Sequence, residues 1–261
     1  MIELSIQIVN YNTKQYLSFL LPMIFKDLER SGINYKVGIL DNASSDDLSD
    51  LQEFYTGNNR ISFYTNDKNV GFGTGHNILS QKNDSLYTLL LNPDLQFIEP
   101  STIVRLLDNL KDNSGVVAVG PKLITYKGKS QWWDHGELEG LIASWLDGLG
   151  LSSWKDRTKA VSVAWVSGAV FLIKTKLFKD LGGFDENIFL YGEDVELCYR
   201  IRQHGRTIFY DPSIKVKHKG QVGSRRSKYV WKSQEYILDK HYKHNKFYSL
   251  FKAILKLINS K

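Results

Sequence analysis

The sequence predicts an α/β protein built on a doubly wound, mostly parallel sheet, and two observations carry that prediction. Apolar runs rich in β-formers recur at 4–9 (LSIQIV), 35–40 (YKVGIL), 61–65 (ISFYT), 87–91 (YTLLL) and 115–120 (GVVAVG), and between them segments with one polar face read as helices over 14–30, 46–55, 75–83 and 101–111. Strand and helix thus alternate as in βαβ units. The residues directly behind four of these strands are polar: Asn10-Tyr11-Asn12, Asp41-Asn42-Ala43-Ser44, Asn66-Asp67-Lys68-Asn69 and Asn92-Pro93-Asp94. Open α/β sheets bind ligands beyond the carboxyl ends of their strands, so a site is expected in these loops.

The first strand leads into Asn10-Tyr11-Asn12 and the helix at 14–30. The second ends at Asp41, and Ser45 ahead of Asp46-Asp47 is placed to cap the helix at 46–55. After the third, Gly71, Gly73 and Gly75 spell GxGxG, with His76 where GxGxxG would have its last glycine, which speaks against dinucleotide binding. The fourth runs straight into Asn92-Pro93-Asp94. Proline cannot continue a central strand and all three residues form turns, so a plain turn explains this stretch taken alone. Four polar loops on one edge go further, offering donors and acceptors for a base, a ribose and a diphosphate.

Residues 128–160 hold four of the six tryptophans without a clear period. Flat apolar faces with a polar handle suit sugar rings as well as local packing, and the segment reads as an insertion over the pocket. Beyond it, period and punctuation predict a strand at 163–173, a short helix at 175–180, a Gly182-Gly183 turn, a helix at 193–203 and paired strands at 206–210 and 214–218. No repeat or linker marks a second domain. In the last segment Phe247, Leu250, Phe251, Ile254, Leu257 and Ile258 form one apolar helix face with Lys246, Lys252, Lys256 and Lys261 around it. Such a helix docks on its own domain or a second subunit, or lies on a membrane.

With 261 residues, 42% hydrophobic and 24% charged, the chain has the composition of a folded globular protein. Its single cysteine, Cys198, excludes an intrachain disulfide, and no CxxC or HExxH spacing offers a zinc site. A reducing compartment is expected. No signal-peptide pattern follows Met1, and no apolar run approaches the ~20 residues of a membrane span, so a cytoplasmic location is expected. The net charge of +6 suits an anionic partner, but no RNP or zinc-finger pattern accompanies it, and nucleic acid is not expected.

Seven segments, IVNYN (8–12), LDNASSD (40–46), NVGFGTGHN (69–77), LLNPD (90–94), VSGAVFLI (166–173), GGFDENIFLYGEDVELCYRIRQHG (182–205) and KVKHKG (215–220), follow one another in an order that resembles the bacterial family 2 glycosyltransferases of the GT-A fold, above all rhamnosyltransferase-like members. The resemblance covers residues 2–220. It implies a catalytic domain over 1–220, with a nucleotide-sugar half at 1–120 and an acceptor half at 121–220, and leaves 221–261 as a basic helical tail.

By the same resemblance Asn92-Pro93-Asp94 corresponds to the DxD motif that holds Mn2+ or Mg2+ on the donor's diphosphate. Asn92 replaces the first carboxylate, so the metal bond is expected from Asp94, with Asn92 orienting the site. His218 stands where similar enzymes place a histidine beside the metal or diphosphate, and a ligand role is expected for it. Asp41 resembles the base- or ribose-binding carboxylate, with Asn10, Tyr11, Asn12, Asn69, Gly71, Phe72 and Asn77 completing the donor pocket and Arg225 and Arg226 closing over the phosphates. Asp194 corresponds to the general base of inverting members, while Glu193, Trp132 and Trp133 are expected at the acceptor; Cys198 is expected in the core.

These correspondences imply metal-dependent inverting transfer from a nucleoside-diphosphate sugar, with rhamnose from dTDP-rhamnose ahead of galactosyl, galactofuranosyl or glucosyl transfer from UDP-sugars. The implied acceptor is a glycan or a lipid-diphosphate-linked glycan. That acceptor turns the tail reading towards peripheral contact with the anionic inner face of the cell membrane, and an oligomer is compatible with it. A sugar nucleotidyltransferase would carry an N-terminal Gly-rich loop with Arg and Lys where this chain has VNYNTKQY. A carbohydrate-binding module would explain the tryptophans but not the acidic residues.

Overall fold

A computed structural model describes residues 1–138, 154–220 and 226–259. The parallel core is β1 (Ile2–Asn10), β2 (Tyr35–Asp41), β3 (Ile61–Thr65) and β4 (Ser85–Leu91), connected through α1 (Lys14–Leu28), α2 (Ser49–Phe54) and α3 (Phe72–Ser80). After β5 (Leu95–Phe97) and α4 (Thr102–Asp112) come β6 (Val116–Ile124), β7 (His135–Gly136), β8 (Val161–Val163), β9 (Trp165–Val166) and β10 (Val170–Lys174). The chain then forms α5 (Thr175–Asp180), α6 (Glu193–Gln203), β11 (Thr207–His218), α7 (Arg226–Tyr242) and α8 (Tyr248–Asn259). The main sheet runs β3-β2-β1-β4-β10-β6-β11-β5, with β8 on β11, while β7 and β9 form a separate ribbon.

Strand order reverses at β1, which has β2 on one side and β4 on the other. That is where a doubly wound sheet opens its crevice. Leu4, Ile6 and Ile8 of β1 alternate onto the face covered by Leu17, Leu20, Leu21 and Ile24 of α1 and Leu106 and Leu110 of α4, all buried. On the other face Phe178 of α5 and Leu197, Cys198 and Ile201 of α6 pack with Phe171, Phe184 and Tyr210. Cys198 is a core residue, and burial pushes its thiol up.

Three expectations change. The strand at 163–173 is broken at Ser167-Gly168, because β9 pairs with β7 whereas β10 crosses into the main sheet, antiparallel between β4 and β6. The doubly wound sheet is therefore mixed in its second half. The expected strand pair around Asp211-Pro212-Ser213 is one strand, β11: Asp211 Oδ1 accepts the Ser213 N–H at 2.9 Å, and the register shift this makes is absorbed while both halves stay paired with β6. Ser45 does not cap α2, since it bonds Asn12; Asp47 accepts the Ser49 N–H at 2.9 Å instead.

Candidate active site

Asn10 and Asp41 are register partners at the ends of β1 and β2. Thr13 Oγ1 donates to Asn10 Oδ1 at 2.7 Å, which turns the fully buried Asn10 Nδ2 towards Asp41 Oδ1 and Ser44 Oγ, each at 3.0 Å. Asn12 takes the left-handed conformation (φ 55°), one that asparagine tolerates, and its Oδ1 accepts the Ser45 N–H at 2.7 Å. Tyr11 beside it is exposed. The loops after β2 and β3 are joined by Asn42, a buried residue that the strand-end reading did not single out. Its Oδ1 accepts from Asn66 Nδ2 and the Val70 N–H, and its Nδ2 donates to Asn69 Oδ1 and the Gly71 carbonyl.

The glycines of GxGxG serve close packing. Gly71 has φ 90°, and a Cβ there would lie 2.3 Å from the Phe189 carbonyl oxygen that accepts the Phe72 N–H. Phe72 is half-buried, edge-on to His76 at 4.5 Å between ring centroids. The structure gives Asn77 a part other than donor contact: it is buried, its Oδ1 accepts the Phe184 N–H at 2.8 Å, and its Nδ2 donates to the Phe184 carbonyl at 2.9 Å and to Glu186 at 3.1 Å.

The turn after β4 is brought to the end of β11 because β5, directly behind it, pairs Leu95 with His218. Asp94 and His218 are both 5% exposed, and His218 Nε2 lies 3.4 Å from Asp94 Oδ1 and 3.2 Å from Asn92 Nδ2. Asp94 Oδ2 accepts the Gly220 N–H at 2.9 Å. Burial would raise the Asp94 carboxyl, but the neighbouring His218 ring and the Gly220 N–H hold it below the ordinary carboxylate range. Two donors bound cis at ~2.1 Å to one octahedral ion stand about 3 Å apart. The Asp94–His218 pair fits Mn2+ or Mg2+ after an adjustment of a few tenths of an ångström. Among the described residues no cluster of three or more His, Cys, Asp or Glu is gathered. Asp94 and His218 are the two such groups that meet at this turn, a number that would suit an ion taking its other oxygens from phosphate and water.

The second acidic group approaches through the turn between β9 and β10. Asn92 N–H donates to the Ala169 carbonyl at 2.9 Å, and the neighbouring Gly168 N–H donates to Asp194 Oδ2 at 2.8 Å. One short turn thus spaces the Asn92-Pro93-Asp94 turn from Asp194, whose Oδ1 accepts the Val195 N–H at 2.8 Å. Asp194 lies in the first turn of α6, entered through Tyr191 and Gly192, both left-handed at φ 66° and 94°. Burial pushes the Asp194 carboxyl up against the pull of these backbone donors. A carboxylate that gains affinity for a proton while held in place has the properties of a general base. Glu193 is raised too, by burial and then by Asp194; it is 5% exposed and its Oε2 has no hydrogen-bond partner. Its side chain lies among Gly73 and Phe184, so Glu193 is packed inside where an acceptor contact was expected.

One turn along α6, Glu196 is fully buried and accepts from Arg200 Nε, Lys240 Nζ at 2.7 Å and His241 Nε2 at 2.9 Å. Arg200 also donates to the carbonyls of Leu181 and Gly183, and Lys240 reaches Asp185 at 2.6 Å. The network clamps α7 onto α6 and the loop ahead of it. Burial opposes ionisation of Glu196, yet His241, Arg200 and Lys240 hold its carboxyl down to about 2. Against an unfolded value of about 4.3, this stability is present above that pH and is lost as pH falls from there towards 2. Glu196→Gln is expected to cost about 3–5 kcal/mol in urea unfolding at neutral pH, and to flatten the acid limb of the stability profile.

Trp132 is exposed and Trp133 half-buried, edge-on to each other at 5.2 Å between centroids. Residues 139–153 of the expected insertion and Arg225 lie outside the described residues, as does the Arg226 side chain. Asn42 and Glu196 were missed because Asn42 acts through Asn66, Asn69 and Val70, and Glu196 through Lys240 and His241, all distant in sequence. The one local signal was the position of Asn42 inside a polar strand-end loop.

The family model described as "Glycosyltransferase like family 2" matches residues 3–234. The N-acetylglucosaminyl-diphospho-decaprenol L-rhamnosyltransferase of Mycobacterium tuberculosis (strain ATCC 25618 / H37Rv) is 30% identical over 144 residues, 51% of this chain and 46% of that protein. This chain thus spans about half the length of the mycobacterial relative. Rhamnosyltransferase WbbL of Escherichia coli (strain K12) is 25% identical over 228 residues, 81% of each chain. Among solved structures, GalNAc-T7 with UDP, GalNAc and Mn2+ superposes at a TM-score of 0.68 with 18% identity, over 92% of this chain and 48% of that one. The mannosyltransferase PcManGT from Pyrobaculum calidifontis, in complex with GDP-Man and Mn2+, gives 0.65 with 15% identity, over 98% and 70%. Both show that the fold is GT-A.

Proposed function

Because the chain belongs to glycosyltransferase family 2, we propose that it is an inverting, metal-dependent transferase moving a sugar, rhamnose from dTDP-rhamnose first of all, to a hydroxyl of a growing cell-surface glycan. The observation that carries this reading is the turn that sets the Asp94–His218 pair beside the Asp194 carboxylate. Asp41, positioned by the buried Asn10, and the loops organised by Asn42 hold the nucleoside, with Tyr11, Asn12, Asn69, Gly71 and Phe72 around it. Asp94 and His218 would hold Mn2+ or Mg2+, which would supply neutralisation of charge on the leaving diphosphate. Asp194 accepts the proton of the acceptor hydroxyl while its oxygen bonds to C1 of the sugar. The C1–O bond to the diphosphate breaks in the same displacement, and its electron pair leaves with the diphosphate. The Gly168 and Val195 N–H groups keep the carboxylate aimed during transfer. Trp132 and Trp133 offer aromatic faces to the acceptor sugar.

The rhamnosyltransferase relatives support the sugar, and the mycobacterial one is named for a diphospho-lipid acceptor. The neighbour crystallised with UDP keeps transfer from UDP-sugars as the second reading. Purified protein offered a panel of sugar nucleotides with and without Mn2+ decides between them. Release of dTDP from dTDP-rhamnose alone supports the first reading, and turnover confined to a UDP-sugar replaces it.

Peripheral binding to anionic membrane belongs to the same reading. Among the described residues no helix is long and apolar enough to cross a membrane. Lys252 of α8, expected on the charged rim, is instead spent on Asp239 of α7 at 2.7 Å, so the helix docks on its own chain. Phe247, Leu250 and Leu257 remain exposed, with Lys246 and Lys256 exposed near them. Apolar area and positive charge together suit an anionic bilayer surface. The full chain is expected to float with anionic liposomes and to be released by salt, whereas a chain ending at Lys243 stays behind. Equal behaviour of the two makes α8 a packing element only.

A further inference from the structure

Gln131 is 1% exposed and uses both ends of its amide on His218. Its Nε2 donates to the His218 carbonyl at 2.7 Å, and its Oε1 lies 2.9 Å from His218 Nδ1. A carbonyl only accepts, so the amide can sit one way round, with its oxygen facing Nδ1. Nδ1 must then carry the hydrogen, and in the neutral ring the lone pair falls on Nε2, the nitrogen turned towards Asn92 and Asp94. Asn92 Nδ2, at 3.2 Å, donates into that lone pair. We propose that Gln131 is a positioning residue that fixes the tautomer and ring orientation of His218 and so makes Nε2 a cation ligand. The inference rests on the reading of Asp94 and His218 as the cation site.

Histidine ligands are commonly oriented by a hydrogen bond at the other ring nitrogen, and loss of that partner typically lowers metal affinity about 10–100-fold. The segment that carries Gln131 has a second anchor, since the Asp134 carbonyl accepts the Ser167 N–H at 2.9 Å, next to the Gly168 that holds Asp194. Trp132 and Trp133 lie between the two anchors, so the pair expected at the acceptor is spaced by groups tied to the cation turn and to the base.

Long-range 1H–15N spectra of the metal-free protein and titration with Mn2+ alone, followed by electron paramagnetic resonance, test the assignment. In the wild type, His218 Nδ1 is expected to be the protonated nitrogen. Gln131→Leu should lose that preference and weaken Mn2+ binding about 10–100-fold. Gln131→Glu, which as the buried neutral acid keeps one donor and one acceptor, should restore both. In a His218→Ala background Gln131→Leu should change Mn2+ affinity no further, because coupled residues are not additive. Wild-type tautomer and affinity in Gln131→Leu, failure of Gln131→Glu to restore them, or an undiminished effect without His218 would overturn the proposal. Wild-type Mn2+ affinity in His218→Ala alone would instead remove the cation site itself.

Discussion

Asp194→Asn is expected to fold, to bind the donor as the wild type does, and to lose turnover by a factor on the order of 10²–10⁴, the usual contribution of a general base. The amide keeps the shape and still accepts the Gly168 N–H, but it cannot take a proton. The loss should appear in kcat, with KM for the donor little changed, because the interaction removed belongs to the transition state. Burial raises the Asp194 carboxyl, so the acid limb of the wild-type kcat/KM profile should lie above the ~3.9 of an ordinary aspartate. Activity falls as pH drops through that limb, where the base becomes protonated. A Glu193→Gln variant that is inactive beside an active Asp194→Asn would reassign the base to the neighbouring acid.

Asp94→Ala should abolish the part of donor binding that depends on a divalent ion. In the proposed cation site the carboxylate is one of two side chains, and no third acidic, histidine or cysteine group completes a cluster among the described residues. Calorimetry with the donor's nucleoside diphosphate, with and without Mn2+, measures the effect. The expected result is Mn2+-enhanced binding in the wild type and a weak, Mn2+-indifferent remainder in the variant, held by the Asn10–Asp41 edge. An unchanged, Mn2+-sensitive affinity would take Asp94 out of the site.

Much of this architecture was legible in the residues. The helices expected at 175–180 and 193–203 coincide with α5 and α6, and the polar loops after β1, β2 and β4 do converge on one edge. Periodicity reports which face of an element is buried, and turn residues report where it stops. Neither says which strands are neighbours, so the antiparallel insertion of β10 between β4 and β6 left no local trace. Asp211-Pro212-Ser213 has the composition of a turn, and only its pairing with β6 on both sides shows a bulge.

The site divides in the same way. Asp94, His218 and Asp194 stand in motifs with a known look, and the structure brings Asp94 to 3.4 Å from His218. Asn77 and Glu193 stand in the same motifs, yet one is consumed by Phe184 and the other is packed inside. A motif lists residues near the chemistry without separating those that meet the ligand from those that hold the loop. Gln131 stands in none of these motifs and Glu196 stands in one without a role of its own there, because their partners His218, Lys240 and His241 lie far along the chain.

A single nuclear magnetic resonance time course tests the account most directly, following the donor's anomeric proton in the presence of an acceptor glycan and Mn2+, then repeating the run with a chelator. One displacement assisted by Asp194 predicts a product whose C1 configuration is opposite to the donor's, formed with Mn2+ and not with the chelator. A product that retains the donor's configuration, or one that forms equally fast in the chelated sample, would contradict it.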